Sequence, residues 1–173
     1  MTADEAVGAS LANVRNGLDL KVLGSELHDR IRRLYPICRS ITGDGVRQTL
    51  QNLSEEIHLQ TEEVPTGTQI FDWTVPKEWN IRDAYIKDGK GERIVDFNQC
   101  NLHVVSYSTP IHQRMTLSEL RPHLHSIPDH PDWIPYKTSY YAESWGFCLS
   151  HRLLETLRQD ARAELHGAAI LRG

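Results

Sequence analysis

Leu20, Leu23, Leu27, Ile31 and Leu34 recur at intervals of three and four, the spacing that lines up apolar side chains along one stripe of an α-helix. Glu26, His28, Asp29, Arg30 and Arg33 fill the other face. Pro36 stops the pattern, because proline lacks an N–H and clashes with the preceding turn. After the loop CRSITGDG a second helix is predicted, capped by Thr42 or Asp44, with Val46, Leu50 and Leu53 on one face and an end near Glu56. The run IHLQTEEV then changes period: Ile57, Leu59, Thr61 and Glu63 alternate with His58, Gln60, Glu62 and Val64. It fits a strand only in part, since Glu63 spoils one face and Val64 the other.

The composition shifts at Pro65: seven of the eight prolines lie from Pro65 to Pro135 inclusive. Turn formers at Thr66-Gly67, 87–91 and 126–131 separate short β-prone pieces: QIFDWTV, IRDAYIKD, RIVDF, LHVVSYS, YKTSYY and WGFCL. IRDAYIKDGKGERIVDF reads as a hairpin, with Asp88-Gly89 supplying positive backbone torsions. Thr116, followed three residues later by Glu119, forms a capping box for a short helix. Residues 149–165 return to helical spacing, with Leu153, Leu157 and Ala161 on one face. The predicted fold class is α+β. Residues 1–17 form a disordered tail, 18–64 an N-terminal helical piece, 65–150 a small β-rich module and 151–173 a C-terminal helix.

Charge and composition narrow the class without naming a function. The chain of 173 residues is 39% hydrophobic and 24% charged, with a net charge of -4. Twelve of its thirteen aromatics fall between Phe71 and Phe147, which concentrates the means of making a core there. No apolar run approaches the roughly 20 residues that span a bilayer. The opening MTADEAVGAS has no basic region followed by an apolar stretch, so no secretory signal is visible. Cys38, Cys100 and Cys148 make a poor disulfide framework and suit reduced thiols in the cytoplasm. Interspersed charges give no footprint for nucleic acid.

The richest polar cluster is HLHSIPDHPD, which gathers His123, His125, Asp129, His130 and Asp132. Imidazole and carboxylate are zinc ligands, but three prolines kink the segment and no spacing of the H-E-x-x-H kind occurs. A loop bonding its own backbone is the more economical reading. Cys38 beside Arg39 and Ser40 has the electropositive neighbour of a reactive thiol, yet no histidine is close in sequence, so a buried structural cysteine is favoured. The TGDG turn lacks the spacing and lysine of a phosphate loop. KEWNIRDAYIK mixes acids with its bases, as a solvated hairpin face does. Asp72, Glu78 and Asp83 offer carboxylates, but spacing alone cannot set two of them across a substrate.

Four phrases are longer and more specific. LYPICRSITGDGVRQTL (34–50), FDWTVPKEWNIRDAYI (71–86), NLHVVSYSTP (101–110) and HLHSIPDHPDWIPYKTSYYAESWGFCLSH (123–151) resemble, in this order, the opening part of a family of bacterial aminopeptidase-like zinc proteins. That family is often encoded near polysaccharide or antibiotic biosynthesis genes. The resemblance covers about residues 25–157. It implies that residues 18–64 are the first helices of an α/β zinc-exopeptidase domain with a mixed sheet, and that residues 65–150 are an inserted β-rich module of unknown role. In the family, the phrase ending in WGFCLSH leads to further strands, to histidine and aspartate metal ligands, and later to a glutamate base. LETLRQDARAELHGAAILRG matches none of these, so no metal, cofactor or catalytic residue is carried over. His123, His125 and His130 fall in the inserted module.

The resemblance therefore implies a truncated or split aminopeptidase-like protein, cytoplasmic and without peptidase activity alone. Its expected partners are a second copy or a separately encoded catalytic part, with no nucleic acid and no membrane. The alternatives are one half of a split zinc aminopeptidase, or a binding module that docks a saccharide or peptide on the aromatics between Trp133 and Phe147. Burial of Trp133, Tyr140 and Trp145 together would exclude such a platform. Apolar stripes in 18–64 without a partner would leave the chain prone to association or ordered mainly in 65–150.

Overall fold

The computed structural model describes residues 16–140, 142–157 and 162–172, the last stretch by its backbone alone. Two compact units divide between Ile37 and Cys38. The expected tail over 1–17 lies outside the described residues up to position 15.

In the first unit, helix α1 spans Leu20–Leu34. Asp19 caps it, its carboxylate accepting from the N–H groups of Lys21 (2.9 Å) and Val22 (3.2 Å). Arg32 and Arg33 lie in the last turn, where cations complement the helix dipole. The helix ends where Pro36 requires. Its predicted stripe is present but open to solvent: Leu20, Leu27 and Ile31 are all exposed.

The second unit opens with α2, Asp44–Ser54. The helix stands with the β-rich residues in one compact unit, so the first structural division precedes the composition break at Pro65. Neither predicted cap is used. The N-cap is Gly43, without a side-chain bond, and the amide of Asp44 instead donates to Asn80 Oδ1 at 2.8 Å. Residues 58–64, the partial strand of the alternation, join no ladder among the described residues.

The predicted strands QIFDWTV and IRDAYIKDGKGERIVDF form as antiparallel hairpins. The first pairs β1 (Gln69–Ile70) with β2 (Trp73–Thr74), and the second pairs β3 (Glu78–Lys87) with β4 (Arg93–Asp96). In the second turn the left-handed residue is Gly91 (φ 88°), not Asp88 or Gly89, and Asp88 Oδ1 accepts from the amides of Lys90 and Glu92. Among the described residues LHVVSYS and YKTSYY form no strand; they supply single bridges from Val104 to Phe147 and from Ser106 to Thr138. IHQRMT, which lacks clean alternation, forms β5 (Ile111–Thr116). The capping box of Thr116 and Glu119 starts the one-turn helix α3, Leu117–Leu120. Short parallel strands β6 (Leu124–His125) and β7 (Phe147–Cys148) follow, then α4 (His151–Thr156).

The predicted C-terminal helix is overturned. Helix α4 stops at Thr156, and Arg162–Arg172 forms an eleven-residue strand, β8, between β3 and β5 in a four-stranded antiparallel sheet ordered β4-β3-β8-β5. Ala and Glu there favour a helix, but the weak local preference loses to tertiary pairing, since β8 bonds along both edges. Gly167 also weakens the helix by about 1 kcal/mol, and RAELHGAAILR alternates with period two.

A register shift between Ile81 and Asp83 reverses the parity of β3 facing the core. Trp79 is buried before it, and Ala84 and Ile86 after it. They pack with Val95, Val104, Tyr107, Leu117, Leu120, Phe147 and Leu149. This core holds the β-rich segment to α2 through the loop described next.

Candidate functional site

The loop CRSITGDG lies against β3. The Ser40 hydroxyl lies 3.2 Å from the Trp79 carbonyl and also bonds that of Thr42, and the Thr42 amide donates to the Tyr107 hydroxyl at 3.3 Å. Gly43 has a φ of 121°, and a Cβ there would stand 2.7 Å from the Trp79 carbonyl oxygen. A Cβ on Gly45 would stand 2.9 Å from the Cys38 carbonyl carbon and closer to its oxygen. The glycines of TGDG thus serve close backbone packing, consistent with its missing phosphate-loop spacing. Cys38 is half-buried; desolvation raises its thiol pKa and Arg39 offsets this only in part.

Beside this loop, α2, residues 62–66 and the start of β3 enclose an open groove of about 560 Å³. Ile41, Val46, Leu50, Val64 and Pro65 supply its apolar lining. Arg47 crosses it. Its Nε bonds Glu63 at 2.7 Å, its Nη groups bond Glu78 in a fork, and Asp44 lies 3.4 Å away. Glu78 and then Glu63 hold the guanidinium above the usual arginine range. The sequence marked Glu78 only as a carboxylate; nothing in its spacing showed Arg47 as partner, 31 positions earlier. Asp83, the other β3 carboxylate, joins Arg93 (2.9 Å) and Asn98. Asp72 is at the exposed tip of the β1–β2 hairpin. The three carboxylates do not form one site.

The histidine loop is committed to structure. His123 stacks on Trp145 at 3.7 Å and donates from Nδ1 to its carbonyl at 3.1 Å. Lys137 Nζ lies 3.2 Å from Nδ1 of His125, whose pKa is lowered first by burial and then by Lys137 and His123. His130 stacks on Trp133 at 4.0 Å, and Asp132 pairs with Arg152. Outside the loop, His103 donates to the Cys148 carbonyl and His151 bonds Ser126. Among the described residues no group of three His, Cys, Asp or Glu side chains is placed to hold a metal ion, so these residues do not fit a zinc site. Cys148 is fully buried and its thiol is pushed up to about 11.

The aromatic segment divides. Tyr140 and Trp145 pack against the core, while Trp133 and Tyr136 are 60% and 71% exposed. The three test residues are not buried together, so the platform is not excluded. No helix among the described residues is long and apolar enough to cross a membrane.

The sequence profile of a domain of unknown function, DUF2172, matches residues 78–164. A protein of Clostridium acetobutylicum, provisionally named a polysaccharide biosynthesis protein with aminopeptidase-like domain, is 55% identical over 137 residues, 79% of this chain and 32% of its own length. A crystal structure of a protein from Clostridium acetobutylicum, provisionally described as a peptidase, superposes with a TM-score of 0.84 at 51% identity, covering 87% of this chain and 35% of that one. The chain spans about a third of the length of each.

Proposed function

For this chain, which belongs to the DUF2172 family, we propose the role of a non-catalytic portion of an aminopeptidase-like protein that acts in polysaccharide biosynthesis. Hydrolytic chemistry in such proteins then belongs to the two-thirds of their length that this chain does not span. The observation that carries the reading is the commitment of the chemistry-bearing side chains. Glu63 and Glu78 neutralise Arg47, Asp83 and Asp96 neutralise Arg93, and His103, His123 and His151 bond neighbouring groups. Ion pairing and these bonds tie the side chains to neighbouring groups, and among the described residues no three His, Cys, Asp or Glu side chains gather to hold an ion. The free thiols Cys38, Cys100 and Cys148 support a cytoplasmic location within the same proposal.

The test is incubation of the purified chain with zinc or cobalt and a set of aminoacyl-nitroanilides. The expected result is no release above that given by an unrelated protein. Metal-dependent turnover would sink the reading.

A second reading, saccharide binding, is favoured by the exposure of Trp133 and Tyr136, since sugar rings stack on open aromatic faces. His130 holds the indole of Trp133 in place. Titration of oligosaccharides against the protein and its Trp133→Ala variant, read by heat of binding, decides it; equal responses dismiss the platform.

A further inference from the structure

A cavity of about 210 Å³ opens between the chain leading into β3 and the segment that carries Ser139 and Glu143. Pro76 and Lys77 form one wall, Ser139, Ala142 and Glu143 the other, and Tyr107 and Tyr140 the floor. Main-chain bonds fix the walls: Ser139 donates to the Ser106 carbonyl and Thr109 to that of Ser144, each at 2.9 Å. The floor is fixed as well. Tyr107 holds a left-handed backbone, φ 67°, which a bulky residue keeps only where its surroundings demand it. Its ring lies on Trp79 at 5.7 Å and meets Tyr140 edge-on at 4.8 Å, and its hydroxyl is tied to Thr42. A cavity pinned in this way is formed before its ligand arrives, so binding is spared the cost of ordering it.

The polar groups that remain uncommitted select the ligand. The Ser139 and Thr109 hydroxyls already donate to the carbonyls of Ser106 and Ser144. The exposed side chains of Lys77 and Glu143 make no hydrogen bond or ion pair among the described residues, with each other or with anything else, although both line the cavity. A simple anion that meets Lys77 is repelled by Glu143, and a simple cation that meets Glu143 is repelled by Lys77. A sugar finds no open ring to stack on, since Tyr107 is buried and already packed against Trp79 and Tyr140. A molecule that carries both charges satisfies both side chains. The volume lies below the about 300–1,000 Å³ of sites for drug-sized ligands, which restricts the occupant to a small zwitterion.

We propose that this cavity binds a free α-amino acid, with its carboxylate on Lys77, its ammonium on Glu143 and an apolar side chain against Pro76, Ala142 and the two tyrosines. The site is independent of the aminopeptidase reading and is judged by binding, not by turnover.

The test is calorimetric titration of the whole chain with L-leucine, with leucinamide, which lacks the carboxylate, and with N-acetyl-leucine, which lacks the ammonium. Leucine is expected to bind, and each blocked form to bind about tenfold more weakly or worse, the worth of one hydrogen bond to a charged group. Lys77→Met should weaken leucine by a similar factor and abolish its advantage over leucinamide, while keeping its advantage over N-acetyl-leucine. Glu143→Gln should do the reverse. Both positions are exposed, so the fold survives either change, as circular dichroism checks. No binding of leucine, equal binding of leucine and either blocked form, or an unchanged preference in either variant overturns the proposal. Release of nitroaniline tests the aminopeptidase reading alone, so the two can fail separately.

Discussion

Replacing Gly45 by alanine sets two effects of opposite sign against each other. Gly45 lies in the first turn of α2, where alanine improves on glycine by no more than about 1 kcal/mol, because it loses less backbone entropy. Against that gain stands the Cys38 main chain. The new methyl group would meet the Cys38 carbonyl carbon at 2.9 Å, the oxygen at less, and Arg39 Cα at 3.3 Å, whereas ordinary contact begins near 3.4 Å. These are backbone atoms, and they cannot swing aside like a side-chain tip. Ser40 and Thr42 tie the same loop to Trp79 and Tyr107, so movement at residues 38–39 strains those bonds as well. Overpacking of this kind costs about 1–3 kcal/mol, and the clash with fixed main chain belongs at the upper end. Gly45→Ala is therefore expected to destabilise by about 1–2 kcal/mol net, read as a lower urea midpoint at unchanged m-value. Gly24→Ala is the control for sign. Gly24 is in α1 with nothing within 4 Å of its prospective Cβ, so alanine there should raise helicity in the far ultraviolet. A Gly45→Ala protein as stable as the wild type would refute the packing argument.

Arg47→Met should cost only about 0.5–1 kcal/mol, because the arginine is 44% exposed and Glu63 71% exposed, so water screens the pairs; half of that loss should vanish when urea titrations are repeated in high salt. His125 has a lowered pKa in the folded chain, so the unfolded chain binds more protons between that value and the ordinary histidine value of 6.5. Protonating His125 therefore costs more in the folded chain than in the unfolded one, and the wild-type urea midpoint should fall relative to that of His125→Gln as pH drops from above 6.5 through the folded value. Cys148 is fully buried with its thiol raised to about 11, so at pH 8 it should resist a thiol reagent until denaturant is added, as peptide mapping of the labelled chain would show. Leu120→Ala, at a fully buried core position, should cost about 2–5 kcal/mol in thermal or urea unfolding, which is large for a domain of this size.

The elements legible in the sequence are those whose signal is local. The stripe from Leu20 to Leu34, the hairpin between Ile81 and Phe97 and the capping box at Thr116 each need only neighbours within a few positions. β8 was not legible as a strand because composition and period disagreed: alanine and glutamate favour a helix, whereas RAELHGAAILR alternates. The partners that decide the matter, β3 and β5, lie up to about ninety positions away. The converse error occurs at LHVVSYS, whose β-branched and aromatic residues suit a strand. Tyr107 there takes a φ of 67°, which breaks the extended run and turns its ring onto Trp79 and Tyr140.

The groove was illegible for the same reason, and its construction joins residues on both sides of the composition break at Pro65. Glycine, serine and threonine in CRSITGDG look like a flexible linker, but each is held by something distant: Ser40 and Gly43 by the Trp79 carbonyl, Thr42 by Tyr107, and the start of α2 by Asn80. Small residues let the loop approach β3 closely, and close approach brings Arg47, one turn into α2, to Glu78 at the start of the strand. The groove wall is therefore a product of backbone packing before it is a product of charge. A composition scan sees proline accumulate after position 65 and divides the chain there. The physical join crosses that point, because the helix is capped by the strand it precedes by more than thirty positions.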